Sequence, residues 1–317
     1  MFKLGPVNSL PYTPGMSGSA ADFRSWEIPR VATFHDGPGG LVCLRVTTPL
    51  ANAELFLHGA HVTRFQPAGT ATPVLFLSAA SHFAPGKPIR GGVPVIFPWF
   101  GGRAGHPDAP AHGFARTLPW EIEALSSADW RTVSVALRLE ASDATRALWP
   151  HDFVLRHRVN IGAQLEMMLE VENTSSTPFQ FEEALHTYLI SDVRTIAVTG
   201  LADTAYIDKV DGAQRKQQDS APVRILGETD RVYLNTRAAC QFDDPDLGRR
   251  IIVTKTGSDT TVLWNPWAVK AKAMADFGDY EWPGMVCIET ANAADNAITL
   301  APGATHRMTA TIAVESL

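Results

Sequence analysis

A histidine, a lone carboxylate and a cluster of arginines are the side chains of this chain best suited to chemistry. Phe179 to Ile190 reads FQFEEALHTYLI, an apolar stretch that holds Glu182, Glu183 and His186. In one continuous strand, residues 182, 184, 186 and 188 share a face, which sets Glu182 and His186 on one side and Glu183 on the other. A histidine in such a strand is more often a satisfied core residue than a catalyst. The balance shifts with Met285 to Asn292, MVCIETAN, where Glu289 ends a wholly apolar run. A carboxylate buried there is costly unless it is paired or used.

Pro88 to Arg116 reads PIRGGVPVIFPWFGGRAGHPDAPAHGFAR and gathers Arg90, Arg103, His106, His112 and Arg116 into one loop-rich segment. Loops of this kind commonly carry binding groups. The glycines after Arg90 let backbone pass close to another object, either a ligand or a neighbouring strand. The plainer alternative, glycines shaping a bulge beneath solvated arginines, is equally compatible with the residues alone. In GETDRVYLN, Asp230 stands just before a short strand, a place where Asp is ordinarily a turn former. His58 with His61, and His106 with Asp108 and His112, raise the question of a metal. Neither set matches a known ligand spacing, and no metal is expected.

The elements that must position these groups are short strands. Period-two alternation or a short apolar core marks Leu41 to Val46, Thr132 to Leu139, Phe153 to Ile161, Leu165 to Val171, Ile251 to Val253, Met285 to Ile288 and Met308 to Val314. Only Ala144 to Trp149 and Ala268 to Ala275 read as short helices. No strand–helix alternation points to a parallel sheet, and no fixed-period repeat points to a propeller. Residues 1–30 are expected to form an irregular arm and residues 31–317 a single all-β domain, a sandwich of large antiparallel sheets with few short helices.

Composition narrows the classes further. Hydrophobic residues make up 45% of the 317 and charged residues 19%, enough apolar side chain for a folded core. The net charge is -6 and no Lys/Arg run forms a polyelectrolyte patch, so nucleic acid is not an expected partner. Neither a signal segment nor a membrane span is expected. Cys43, Cys240 and Cys287 are widely separated, which argues against a disulfide framework and favours a reducing, cytoplasmic setting.

Taken in order, IRGGVPVIFPWFG, HGFAR, EEALHTYL, ETDRVY, VLWNPWAVKAKAMADFGD and MVCIETAN resemble the hexose-6-phosphate mutarotase branch of the aldose 1-epimerase superfamily. The resemblance runs from about residue 40 to the C-terminus. It implies a galactose-mutarotase-like supersandwich with a sugar cleft on one sheet face. By it, His186 and Glu289 match the catalytic histidine and carboxylate, acting as acid and base. Arg90, His112, Arg116 and Asp230 match positions that hold the sugar phosphate or its hydroxyls. The implied activity is that of a glucose-6-phosphate 1-epimerase, an isomerase that needs no cofactor, with a small sugar phosphate as ligand and the chain a monomer. One departure is visible, since members often carry Gln before the HGFAR histidine and this chain has Ala111.

Three other functions compete. One is a mutarotase of unphosphorylated aldoses. Another is a non-catalytic carbohydrate-binding protein that uses Trp99, Trp264 and Trp267 as stacking platforms. The third is a glycoside-processing enzyme, which needs a second catalytic carboxylate, with Glu182 and Glu183 as candidates.

Overall fold

The structure, a computed structural model, describes residues 18–317. The strongest alternation becomes sheet as expected. Along Leu165–Asn173, Leu165, Met167, Leu169 and Val171 are buried, while Glu166, Glu170 and Glu172 face outward. That strand lies between Phe153–Ile161 and Thr305–Ser316 in a seven-stranded antiparallel sheet. On its outer face Arg156 binds Glu123 at 3.1 Å, Glu170 at 3.1 Å and Glu172 at 2.9 Å.

A second antiparallel sheet has eight strands. Its path runs through Gln214–Gln217, Ala205–Asp208, Thr229–Leu234, Thr260–Asn265, Met285–Asn292, Glu183–Leu185 and Val95–Ile96, with Tyr188–Ile190 also paired to Met285–Asn292. A four-stranded meander, Ala32–Asp36 to His61–Pro67, completes the large sheets. One buried cluster joins all three, with Leu169, Ile251 and Ile312 from the first, Leu185, Leu263 and Ile288 from the second, and Leu44, Leu55 and Phe65 from the meander. Burying apolar side chains from facing sheets at once is what stabilises a sandwich.

Met285–Asn292 is buried along its whole length, because the eight-stranded sheet is covered on both faces. Val286 and Ile288 face the shared core. On the opposite face one satellite cluster includes Ala184, Val232, Val262 and Ala291, and another includes Phe76, Tyr188, Trp264 and Cys287. Glu289 falls between them along the strand.

Phe179 to Ile190 is not one strand. Phe179–Phe181 pairs with Ile298–Leu300, whereas Glu183–Leu185 and Tyr188–Ile190 join the eight-stranded sheet, with breaks at Glu182 and at 186–187. The helices are Asp143–Leu148 and Trp267–Ala273, close to the expected places, with a few 3-10 turns besides. One of those turns, Ala20–Trp26, occupies part of the expected arm and sets Phe23 against Phe34, ring centroids 5.4 Å apart. Residues 1–17 of that arm lie outside the described residues. All three cysteines are buried and free. Among the described residues, no helix is long and apolar enough to cross a membrane.

Candidate active site

Strand register assembles the site. Asp230 lies opposite Trp264, Trp264 opposite Cys287, and Cys287 opposite Tyr188. In the adjoining row Val232 faces Val262, and Val262 faces Glu289. Leu185 pairs with Thr290 and Tyr188 with Cys287, so the same register sets His186 against Glu289. Directly opposed residues of an antiparallel pair share a sheet face. His186 Nε2 stands 3.3 Å from Glu289 Oε1. The strand break at this point is bridged by the loop carrying Arg90: His186 N–H donates to Pro94 O and Tyr188 N–H to Gly92 O. The imidazole stacks on the Tyr188 ring at 4.7 Å and 9°.

Both members of the pair are nearly inaccessible, Glu289 at 1% and His186 at 6%. Burial pushes the Glu289 carboxyl well above its ordinary range, the charge of Asp230 adds to this, and Lys209 and Arg116 oppose it. Burial pushes His186 well below its ordinary value, and the cations Arg116 and Arg90 push it further. Burial thus disfavours the charged form of both groups. Glu289 Oε2 and His186 Nδ1 are buried without a hydrogen-bond partner among the described residues.

The glycines after Arg90 serve a neighbouring strand. A Cβ on Gly91 would come within 2.5 Å of Phe76 O, and one on Gly92 within 2.3 Å of Val62 O. Held in this way, Arg90 donates through Nη1 to Tyr188 Oη at 3.1 Å and through Nη2 to Asp276 Oδ2 at 3.0 Å. Arg116 sits in the 3-10 turn Ala115–Thr117, is 7% exposed, and donates through Nη2 to Ala111 O at 2.8 Å. It has no carboxylate partner among the described residues, and burial together with Arg90 pushes its pKa down to about 10. Gly113 lets this turn press against Phe97 O, which a Cβ would approach to 1.9 Å. His112 Nδ1 accepts from Gly101 N–H at 3.3 Å, which leaves its proton on Nε2. Its ring lies edge-on to His186 at 5.7 Å.

Asp230 lies inside the strand Thr229–Leu234 rather than before it, and burial raises its carboxyl pKa. Thus His186, Glu289, Arg90, Arg116, His112 and Asp230 come together on one sheet face and the loops beside it. Other candidates go elsewhere. Arg103 covers the Trp99 ring and donates to Leu148 O, beside a shallow cavity of about 280 Å³ that Trp149, Gln180 and Glu182 also line. Glu182 accepts from Phe100 N–H and Ala294 N–H. Glu183 is bound by Asn292 and His306. His58 and His61 each spend a ring nitrogen on a carbonyl, those of Lys87 and Gly91. His106 and Asp108 are exposed. Trp99 and Trp264 are buried, and Trp267 packs on Trp282 at 4.1 Å.

Sequence reasoning did not single out Asp276, Tyr188 or Lys209. Asp276 and Tyr188 both lie within the quoted motifs, at positions where a packing role explains them equally well. Lys209 belongs to no motif.

Similarity to known proteins agrees with this geometry. A family model described as aldose 1-epimerase matches residues 43–313. A protein of Escherichia coli (strain K12), named "Putative glucose-6-phosphate 1-epimerase", is 38% identical over 251 residues, which cover 79% of this chain and 83% of the relative. A protein of the same name from Cenchrus ciliaris is 36% identical over 262 residues, 79% of this chain and 78% of its own. The crystal structure of a protein from Salmonella typhimurium, described as a "putative mutarotase", superimposes with a TM-score of 0.85 at 34% identity, covering 92% of this chain and 96% of that one.

Proposed function

The chain belongs to the aldose 1-epimerase family, and from that premise we propose that it interconverts the α and β anomers of a hexose 6-phosphate, glucose 6-phosphate foremost. The observation that carries this reading is a buried acid–base pair, each member with one buried atom that has no hydrogen-bond partner, beside an arginine without a carboxylate partner among the described residues. Glu289 takes the proton of the C1 hydroxyl while His186 gives one to the ring oxygen O5, and the bond between C1 and O5 breaks. The open aldehyde turns about the bond from C1 to C2. Closure on the other face returns each proton, with the two groups in reversed roles, so no cofactor is called for.

Burial opposes the charged form of both groups, and the nearby arginines add to this at His186. A phosphate dianion bound at Arg116 and Arg90 offsets those cations and favours protonation of the imidazole, the form that gives a proton to O5. Arg116 is the main phosphate seat, because Arg90 already shares its guanidinium with Asp276. The His112 Nε2–H and the Asp230 carboxylate are placed to bind hydroxyls. Free buried cysteines and a phosphorylated substrate both suit a reducing, cytoplasmic setting.

Exchange spectroscopy on the anomers of glucose 6-phosphate tests the function, with acceleration over the spontaneous rate expected. Arg116→Ala should cost about 10- to 100-fold in kcat/KM on glucose 6-phosphate, the worth of a charge-assisted bond, and little on glucose. Equal losses on both sugars would assign Arg116 to the loop or the sugar ring instead of the phosphate.

A further inference from the structure

We propose that Lys209 is a substrate-contacting specificity residue whose ammonium donates to a sugar hydroxyl. The proposal rests on the hexose-phosphate reading above, which places the sugar over His186 and Glu289.

Lys209 follows the strand Ala205–Asp208, and its backbone N–H donates to Asp230 O at 2.9 Å. Its side chain, on an exposed residue, reaches Phe100 and Gly101. Nζ lies 5.3 Å from the Phe100 ring centroid and 3.3 Å from where a Cβ on Gly101 would stand. The Phe100 ring meets His112 edge-on at 4.9 Å, and His112 meets His186 at 5.7 Å. Four side chains thus form a continuous path from the proposed acid to this ammonium.

Neither Lys209 Nζ nor the Asp230 carboxylate has a hydrogen bond or an ion pair among the described residues. Other lysines of the same region are committed, Lys216 to Asp208 at 2.8 Å and Lys270 to Glu228 at 3.0 Å. A cation and an anion that are neighbours without touching leave room for a group that bridges them. A hydroxyl does so in one step, accepting from Lys209 and donating to Asp230. A second anion would be repelled by Asp230.

The acid–base pair takes the C1 hydroxyl and the ring oxygen, and C6 carries the phosphate, so the contacted group is the 2-, the 3- or the 4-hydroxyl.

The experiment compares the full-length protein with Lys209→Met, which keeps the apolar stem on Phe100, and with Lys209→Arg. Substrates are glucose 6-phosphate and its 2-deoxy, 3-deoxy and 4-deoxy analogues. Lys209→Met should lose about 10- to 100-fold in kcat/KM on glucose 6-phosphate, the worth of one charge-assisted bond. On the analogue lacking the contacted hydroxyl that loss should vanish, and Lys209→Arg should recover most of the activity. The pH profile should keep its position. Wild-type rates in Lys209→Met, or the same loss on all four sugars, would overturn the proposal. So would a loss explained by a shifted pH profile, which would make Lys209 a modulator of Glu289. A wild-type protein with no effect on glucose 6-phosphate would instead sink the parent reading.

Discussion

Two histidine–glutamate pairs each draw one member from the segment 183–188. His186 meets Glu289 at 3.3 Å, while Glu183 lies three residues before that histidine and binds His306, from another strand, at 2.9 Å. An odd offset along a strand reverses the face, so the second pair points toward the strand Thr305–Ser316. There Asn292, directly opposite Glu183, donates to it at 2.8 Å and to Gly257 O at 2.8 Å. Burial opposes the charge on His306, yet Glu183 and Asp259 together raise its pKa. His186 has arginines for neighbours instead, and its pKa falls. The same two residue types are thus driven in opposite directions. At His186 burial and two arginines act together, whereas at His306 the direct bond to Glu183 outweighs burial.

The largest expected difference is in turnover. Glu289→Gln and His186→Ala should each lower kcat by about 10²- to 10⁴-fold, the usual contribution of a general acid or base. Because Glu289 is a buried carboxyl with an unpartnered oxygen, its replacement should leave the melting temperature unchanged or raise it. Glu183→Gln should leave kcat near wild type. Exchange rates and thermal melts on the three variants decide the matter, and a folded but inactive Glu183→Gln would abolish the distinction between the pairs.

Next in size is stability. Removing one partner of a buried ion pair costs about 3 kcal/mol, since the other is stranded. Glu183→Ala strands His306 and the Asn292 amide together, so its urea midpoint should fall with the slope unchanged. Glu289→Ala should fall less. Equal losses would mean that the pair of His186 and Glu289 is as structural as that of Glu183 and His306.

The smallest effect is the dependence of stability on pH. His306 has a raised pKa in the folded state, so its contribution is complete below the ordinary imidazole value of about 6.5 and disappears as pH rises through the folded value. His61 and His157 have the opposite sign. Burial pushes them down to about 3 and about 4, with one carbonyl bond each, to Gly91 O and Ala60 O. Below about pH 6.5 the unfolded chain binds protons that they refuse, and stability falls with pH. Melting temperature across the range should show both declines in wild type. Glu183→Gln should flatten the alkaline one and keep the acid one, and a variant that keeps both would detach the alkaline decline from this pair.

Sequence alone marked the groups that carry the proposed chemistry, and for a physical reason. Glu289 stood out because a carboxylate inside MVCIETAN violates the apolar pattern around it, and alternation in Leu165–Val171 announced a sheet with one wet face. Such signals are local, since side-chain direction repeats every two residues along a strand whatever lies beyond it. Alternation failed where the strand broke. It set Glu182 beside His186 in one strand, whereas Glu182 sits at a break, bound to the backbone of Phe100 and Ala294.

Tertiary structure alone decided which charges surround each group. Asp276 reaches Arg90, Arg116 stays unneutralised, and Lys209 arrives over Phe100 from a distant hairpin. No periodicity encodes these meetings. They depend on strand order, on register set across separate segments, and on loops whose glycines admit backbone within a few ångströms of a neighbouring carbonyl. An electrostatic field sums over every charge within reach, so the sequence named His186 and Glu289, and only the folded sheet set them 3.3 Å apart among the arginines.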